Sequence, residues 1–436
     1  MVNTRFHDGV GTIILSERHR AVAGRGQNRA MTLDARDELP PSTRTVHDHL
    51  RIAVVTETYP PEVNGVAGTV AQIVGGLRRR GHEVQLVRPR QPRDGAPGIA
   101  QEPEARFTET LTRGVAIPRY PELRMGLPIA RRLRGDWVLE RPDVVHIATE
   151  GPLGWSALST ARRLGIPVLS EFRTNFHSYM RHYGVGFLQP AVLAYLRRFH
   201  NQAACTMVPT AGLLRELEAT GFHRLEVVAR GVDTELFQPG RRCSDLRRMW
   251  GVLDSEPVIL YVGRLAPEKN LELLGEAFAR IRERVPMARL VVVGEGPARD
   301  LARSLCPSAL FAGRRTGEEL ARHYASADIF LFPSLTETFG NVTLEAMASG
   351  LAVAAFDYGA AGANIRTGVS GWVAPLDDRA AFIQGSVQLA MDLALARRLG
   401  QKARETAVEM GWDAILNQVE ALYLRSIAEF RARRSN

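Results

Sequence analysis

The feature that most limits the possible folds is a short β-branched run followed by a turn and a helix, and it occurs twice. The first copy begins at Arg51 (RIAVVTETYPP) and the second at Pro257 (PVILYVGRLAPEKN), and strand and helix patterns alternate after each. Strands that alternate with helices pair as parallel sheets. The sequence therefore predicts an α/β fold of two Rossmann-like, doubly wound domains, and 436 residues suit two cores rather than one.

The limits of these patterns divide the chain into four segments. Residues 1–50 lack hydrophobic periodicity and are predicted to form a disordered leader. An N-terminal Rossmann-like domain is expected over 51–235 and a C-terminal one over 236–410, with the stretch VVARGVDTELFQPGRR as the hinge. A helical pattern that places Trp412, Ile415 and Val419 broadly on one face predicts a terminal helix over 411–436.

Composition narrows the functional class. The sequence has no run of about 18 apolar residues and no secretory signal pattern at its start, so we expect a cytoplasmic protein. Cys205, Cys243 and Cys306 lack metal-binding spacing and are expected to be buried thiols. The net charge of +9 comes almost wholly from arginine. A basic surface suits an anionic membrane leaflet, a nucleotide sugar or nucleic acid, but a plain solvated surface explains the charge equally well.

The most informative segment is ETFGNVTLE, which runs from Glu337 to Glu345 between a predicted strand and a predicted helix. Ligands of open α/β sheets bind at this end of the strands. If the helix begins near Gly340, the backbone amides of Phe339, Gly340, Asn341 and Val342 can bind a phosphate or sugar oxygen. One glutamate can then contact a sugar ring and the other a ribose. A single glutamate at either position would instead be interpreted as a helix cap or a surface charge.

A second segment, GRLAPEKN, carries Arg264 and Lys269 on the turn after the first strand of the second domain. Only one other lysine, Lys402, occurs in this arginine-rich chain. Two cations held at this turn can neutralise a diphosphate leaving group, although an Arg and a Lys near a helix start can also be surface charge. Because no Asp-x-Asp pair occurs, we expect catalysis without a metal and without any other cofactor.

The first domain offers a glycine loop, Asn64 to Gly68, between its first strand and first helix. Gly65 in this loop allows backbone to approach an anion. The loop is not GxGxxG, and the next strand, HEVQLVRPR, lacks the acidic residue that a nicotinamide cofactor requires. A nicotinamide enzyme is therefore disfavoured.

In this order, the segments resemble family 4 of the retaining glycosyltransferases, which have the GT-B fold of two domains facing each other across a cleft. The likeness runs from Arg51 to about Phe430 and covers TETYPPEVNGVAGT, TEGPLGWSA, EFRTNFHSYMRHYG, RGVDTELFQP, YVGRLAPEKN, VVVGEGP and ETFGNVTLE. The resemblance implies a donor site for a nucleotide diphosphate sugar and a terminal helix that crosses back to the first domain. It implies that Glu337 and the Phe339–Asn341 amides hold the donor sugar and that Glu345 holds the ribose. It also implies that Arg264 and Lys269 bind the diphosphate and that Gly65 lets the diphosphate approach.

The chain departs from the family where family members often have Phe-His-Thr, because it reads Phe172-Arg173-Thr174. Arginine cannot act as a base at neutral pH, but Arg173 can hydrogen-bond the sugar or stabilise the diphosphate charge. His177 is the substitute histidine, and a structural role for it is the simpler alternative. Retaining catalysis in this family is thought to pass the acceptor proton to the donor phosphate, so activity does not require a protein base.

Within the family, TEGPLG and the TNFHSYMRHYG run most resemble GDP-mannose-dependent α-mannosyltransferases and enzymes that glycosylate diacylglycerol-type lipids. This resemblance implies a hexosyl donor, with mannose favoured, a lipid or glycolipid acceptor, and peripheral binding to the cytoplasmic face of an anionic membrane. Nucleic acid is not an expected partner. The alternatives are a UDP-sugar-dependent diacylglycerol or polysaccharide glycosyltransferase, a GT-B sugar-nucleotide epimerase, and a binding protein without turnover.

Overall fold

A computed structural model describes residues 49–62, 64–91, 94, 106–117, 120–173 and 189–435. The compact unit considered below is His49–Asn436. Apart from His49 and Leu50, the predicted leader lies outside the described residues. Leu50 is buried, and its carbonyl accepts a hydrogen bond of 2.9 Å from the amide of Glu83, so it belongs to the first core.

The first lobe is built on a seven-stranded sheet in which every printed strand pair is parallel. Its order is β3-β2-β1-β6-β7-β8-β9. The strands are β1 Arg51–Val55, β2 Glu83–Pro89, β3 Phe107–Thr112, β6 Val144–Ile147, β7 Val168–Glu171, β8 Cys205–Val208 and β9 Leu225–Val227. Two further strands, β4 Gly114–Ile117 and β5 Tyr120–Gly126, form an antiparallel hairpin.

The helices of this lobe connect the parallel strands, as the alternating pattern predicts. They are α1 Gly65–Arg79, α2 Ala130–Leu139, α3 Pro152–Leu164, α4 Gln189–His200 and α5 Ala211–Ala219. Asn64 caps α1, since its side-chain oxygen accepts hydrogen bonds from the amides of Val66 and Ala67 at 3.1 and 2.8 Å. Gly165, at φ 65°, ends α3 in the left-handed conformation that glycine tolerates.

The second lobe repeats the design on a six-stranded parallel sheet, in the order β12-β11-β10-β13-β14-β15. The strands are β10 Val258–Val262, β11 Arg289–Val293, β12 Leu310–Gly313, β13 Ile329–Phe332, β14 Ala352–Phe356 and β15 Trp372–Ala374. The helices are α6 Ser244–Met249, α7 Leu271–Arg284, α8 Arg299–Leu305, α9 Gly317–Ser326, α10 Asn341–Ala348, α11 Gly359–Asn364, α12 Arg379–Met391 and α13 Leu393–Val408, with short 3-10 turns at Pro239–Arg241 and Pro267–Lys269.

The last helix, α14 Trp412–Ser435, follows the second lobe in the chain but packs on the first. Its buried side chains share one apolar cluster with β1, β2 and α1, and they are Ile415, Leu416, Val419, Leu422, Tyr423 and Ile427. A Cβ on Gly76 of α1 would lie 2.3 Å from a methyl carbon of Leu416. Any larger residue at position 76 would therefore force the Leu416 side chain to move.

Both sheets reverse their strand order at one point, between β1 and β6 in the first lobe and between β10 and β13 in the second. Helices that follow the two strands at such a point leave the sheet on opposite sides and open a crevice at the carboxyl ends of the strands. The fold thus creates two crevices, and the predicted site segments follow β1, β10 and β13.

Candidate active site

The loop after β13 and the start of α10 form the centre of the site. Gly340 precedes the helix with φ 92°, a conformation that favours glycine. No side chain caps this end of α10. The first amides of the helix have no carbonyl of an earlier turn to bind, and the helix dipole favours an anion beside them. The predicted anion site at Asn341 and Val342 therefore coincides with a real helix start.

Glu337 lies in this loop between a hydroxyl and an ammonium group. Ser334 Oγ donates to Glu337 Oε1 over 2.7 Å, and Lys269 Nζ contacts the same oxygen. The side chains of Glu337 and Lys269 are 15% and 11% exposed, so the pair is largely shielded from water. The structure thus joins the two sequence segments, ETFGNVTLE and GRLAPEKN, through one ion pair.

Arg264 also forms an ion pair with a glutamate. Its guanidinium contacts the carboxylate of Glu268, which is almost fully buried in the 3-10 turn after β10. The Arg264 side chain remains 40% exposed, so part of the guanidinium faces solvent. Sequence reasoning identified Arg264 and Lys269 but gave no role to Glu268, which holds Arg264 at the crevice.

Glu345 lies one turn inside α10, where the Tyr324 hydroxyl donates a hydrogen bond of 2.9 Å to its Oε2. Burial raises the pKa of Glu345 to about 7, although the hydrogen bond from Tyr324 acts in the opposite direction. Burial also raises the pKa of Tyr324, so its hydroxyl stays a donor. Tyr324 was not predicted, because nothing in the local pattern of α9 marks it.

The first lobe meets the loop between β13 and α10 through Gly65 and Arg230. A Cβ on Gly65 would lie 3.8 Å from both Arg230 Nη1 and Asn341 Nδ2. Arg230 Nη1 donates to Asn341 Oδ1 over 3.2 Å, and its guanidinium carbon lies 5.8 Å from the centre of the Phe339 ring. Arg230 belongs to the RGVD segment, which was predicted only as a hinge. The structure makes it a bridge between the lobes.

Arg173 follows β7 and is 5% exposed. Its Nε contacts Glu171 Oε2, so a carboxylate holds the buried guanidinium. Arg230 Nη2 donates to the Arg173 carbonyl over 3.2 Å, which brings Arg173 next to the lobe contact. His177 lies outside the described residues.

Two further carboxyl groups, Glu57 and Glu150, follow β1 and β6. The amides of Gly126 and Leu153 donate to Glu57, the latter over 3.0 Å. Burial raises the pKa of both carboxyl groups to about 7, and for Glu150 the charge of Glu57 adds to the effect. Among the described residues, Glu150 Oε1 has no hydrogen-bond partner. Both glutamates stand in motifs quoted above, TETYPP and TEGPLG, but an isolated glutamate after a strand does not predict burial.

The assembled groups suit the transfer of a group from a diphosphate. Arg264, Lys269 and the amino end of α10 can neutralise the phosphates, and Glu337 can accept hydrogen bonds from sugar hydroxyls. Within the described part of the chain, no three His, Cys, Asp or Glu side chains are grouped to hold a metal ion.

Comparison with known proteins agrees with a site for group transfer from a diphosphate, because the matching families are glycosyltransferases. Residues 63–236 match the family described as Glycosyltransferase Family 4, and residues 256–392 match Glycosyl transferases group 1. Over 318 residues the chain is 38% identical to the GDP-mannose-dependent alpha-mannosyltransferase of Mycobacterium tuberculosis. The aligned region covers 71% of this chain and 80% of that protein. It is 28% identical to the alpha-monoglucosyldiacylglycerol synthase of Streptococcus pneumoniae, over 70% of this chain and 71% of that protein.

Among solved structures, sucrose-phosphate synthase from Thermosynechococcus elongatus superposes with a TM-score of 0.71 at 22% identity, covering 87% of this chain and all of that one. The predicted fold of two Rossmann-like domains in the GT-B arrangement is confirmed.

Proposed function

The chain belongs to glycosyltransferase family 4 and is a hexosyltransferase, and we propose that it transfers mannose from GDP-mannose to a hydroxyl group of a lipid or glycolipid. Relatives named for GDP-mannose and for diacylglycerol support these choices of donor and acceptor. The observation that carries the proposal is the joining of Lys269 to Glu337 beside the uncapped start of α10, because it sets a cation for phosphate against a carboxylate for sugar.

In the proposed reaction, the bond between the anomeric carbon and the phosphate oxygen breaks, and its electron pair leaves with the diphosphate. Arg264 and Lys269 stabilise that charge, which is the basis for proposing that the reaction needs no metal. The acceptor oxygen forms the new bond on the same face of the sugar, and its proton passes to the leaving phosphate. Glu337 and the Phe339–Asn341 amides hold the sugar, Glu345 the ribose, and Gly65 allows the diphosphate to approach.

Binding of the donor nucleotide tests this proposal first. We expect GDP and GDP-mannose to raise the melting temperature of the protein in the presence of EDTA, because a ligand that binds only the folded state stabilises it. At a ligand concentration about 100 times Kd, the stabilisation corresponds to roughly 2.7 kcal/mol. The measurement is thermal denaturation with GDP, UDP, ADP and their common sugar conjugates.

The other outcomes separate the alternatives. A response to UDP alone would replace the GDP-mannose proposal with a UDP-sugar-dependent lipid or polysaccharide transferase. A response that disappears with EDTA would overturn metal independence. An altered sugar nucleotide formed without acceptor would indicate an epimerase, and no response to any nucleotide would contradict the donor site itself.

We also propose that the first lobe binds an anionic membrane through its hairpin and α2. Among the described residues, the exposed apolar side chains in and beside the hairpin and in α2 include Val115, Met125, Leu127, Val138 and Leu139, and the exposed charged ones include Arg113, Arg131, Arg132 and Arg134 with the acidic Asp136 and Glu140. Leu133 and Trp137 bury the opposite side of α2 against α3 and its neighbours. Apolar and basic groups exposed together favour a lipid surface with negative headgroups. No helix in the described residues is long and apolar enough to cross a bilayer.

Flotation with vesicles tests this surface. We expect the protein to float with vesicles containing phosphatidylglycerol, less with pure phosphatidylcholine, and less at high salt, because each basic residue near the surface contributes about 1 kcal/mol. Leu139→Glu should reduce flotation several-fold, since Leu139 is 85% exposed. Leu253→Glu is the matched control, because Leu253 is 67% exposed on the second lobe. Flotation that changes with neither the anionic lipid content nor the salt concentration would contradict membrane binding through this surface.

A further inference from the structure

Four buried side chains form a continuous series of polar contacts from the last helix to the carboxyl end of β7. The Tyr423 hydroxyl lies 2.6 Å from His146 Nδ1, and His146 Nε2 lies 2.5 Å from Glu171 Oε1. The other oxygen of Glu171 contacts Arg173 Nε. None of the four residues is more than 6% exposed. Bulk water therefore has little access to these contacts.

Each member comes from a different part of the fold. Tyr423 lies in α14, His146 in β6, Glu171 at the end of β7, and Arg173 two residues beyond it. Because β6 and β7 are neighbouring strands, His146 can reach Glu171 directly. The series thus connects the helix that returns from the second lobe with the carboxyl edge of the first sheet.

The charges in the series support one arrangement of protons. Burial opposes the charge on Glu171, but Arg173 and His146 outweigh it and lower the pKa of Glu171 to about 2. Burial also raises the pKa of Tyr423, so its hydroxyl remains protonated. The hydroxyl can donate to His146 Nδ1 in the tautomer that carries its hydrogen on Nε2. His146 Nε2 and Arg173 Nε lie against the Glu171 carboxylate as close polar contacts without the alignment of a hydrogen bond. Glu171 then presents a fixed negative charge to Arg173.

The far end of the series reaches the start of α10 through Arg230. The Arg173 carbonyl accepts a hydrogen bond from Arg230, and Arg230 donates to Asn341 at the start of α10, both over 3.2 Å. A cavity of about 20 Å³, enough for one water molecule, adjoins Glu171, Arg173 and Arg230, and α14 contributes part of its wall. Arg173 is thus held from one side by Glu171 and lies beside the contact between the lobes.

We propose that Tyr423 is a positioning residue of the transferase, which acts through His146 and Glu171 to hold the buried Arg173 side chain, and with it the carbonyl that accepts from Arg230 beside the start of α10. This inference rests on the proposed function and on the expectation from the sequence that Arg173 hydrogen-bonds the donor sugar or stabilises the charge of its diphosphate. A guanidinium fixed before the reaction stabilises developing charge without having to reorganise. The series gives α14 a role in catalysis besides packing.

A double-mutant cycle between Tyr423 and Arg173 tests the inference. We expect Tyr423→Phe to lower kcat about tenfold, with the KM for the donor and the Kd for the nucleotide diphosphate changed less than about twofold. We expect Arg173→Ala to lower kcat further, and Tyr423→Phe to have no added effect in the Arg173→Ala background, since coupled residues are not additive. His146→Gln should behave like Tyr423→Phe in both backgrounds.

The control is Tyr195→Phe. The Tyr195 hydroxyl also donates a hydrogen bond of 2.6 Å in the first lobe, to the Glu150 carbonyl, but it does not belong to the series. We expect its kcat to match that of the unchanged enzyme. Multiplicative losses in the Tyr423–Arg173 double mutant, or an unchanged kcat in Tyr423→Phe, would overturn the positioning role while leaving the transferase intact. An unchanged enzyme that binds nucleotide but transfers no sugar would overturn the proposed function and this inference together.

Discussion

Glu337→Ala is expected to reduce sugar transfer about a thousandfold while nucleotide diphosphate still binds. In the proposed site Glu337 accepts hydrogen bonds from the donor sugar, and an interaction that strengthens as the sugar departs contributes to kcat rather than to nucleotide affinity. The substitution also removes the carboxylate that Lys269 contacts in the absence of ligand. The diphosphate then no longer competes with Glu337 for Lys269, so its affinity should be unchanged or slightly higher.

Calorimetric titration with the nucleotide diphosphate, beside initial rates of transfer, measures both quantities. Glu345→Ala is the matched comparison, because Glu345 is a second glutamate of the same segment and is proposed to contact the ribose. It should weaken nucleotide binding about tenfold, which corresponds to roughly 1.4 kcal/mol. If Glu337→Ala lost nucleotide affinity to the same extent as activity, Glu337 would contact the nucleotide rather than the sugar.

The fold was predictable because its signals are local. The strands beginning at Arg51 and Val258 are short β-branched runs, and each precedes a helix whose start is visible in the sequence. Parallel pairing follows from that alternation, whereas the strand order of each sheet comes from the structure. The packing of α14 on the first lobe was not predictable from local signals, because the helix pattern indicates a buried face but not the element that covers it. Family resemblance alone implied the crossing.

The site was predictable in its charged groups but not in their partners. Arg264 and Lys269 lie in one short motif on the turn after a strand, so the sequence alone can place two cations at the ligand-binding edge of the sheet. Tyr423 and His146 are 277 residues apart, and Arg230 and Asn341 are 111 residues apart, so no local pattern relates them. A buried histidine or tyrosine looks like any other core residue until the fold places a partner beside it.

The pairing of Lys269 with Glu337 also explains why a cation this deep in the crevice is tolerated without ligand. Lys269 is 9% exposed, and a charge so buried is costly unless an opposite charge accompanies it. When the diphosphate arrives, its oxygens can replace Glu337 as the partner, and Glu337 becomes available to the sugar. Donor binding would therefore break the ion pair, so that Lys269 contacts the diphosphate and Glu337 contacts the sugar.

Lys269→Ala follows from this exchange, and its expected effect differs from that of Glu337→Ala. We expect nucleotide diphosphate affinity to fall about 10- to 100-fold, because a charge-assisted hydrogen bond contributes roughly 1.5–3 kcal/mol. Transfer should fall about a hundredfold or more, since the same ammonium group stabilises the leaving diphosphate. The melting temperature without ligand should also fall by several degrees, because Glu337 loses the cation that it contacts.

Lys402→Ala is the control that the chain itself provides, because Lys402 is the only other lysine. Lys402 is on the exposed side of α13 and pairs with Glu405 over 2.7 Å, with both side chains 54% exposed. Such surface pairs contribute at most about 1 kcal/mol, so activity and nucleotide affinity should stay unchanged. Lys269→Arg should recover only part of the affinity, since a planar guanidinium does not replace a compact ammonium group. If Lys269→Ala bound the diphosphate as tightly as Lys402→Ala, Lys269 would serve only to neutralise Glu337, and Arg264 with the α10 amides would have to hold the phosphates alone.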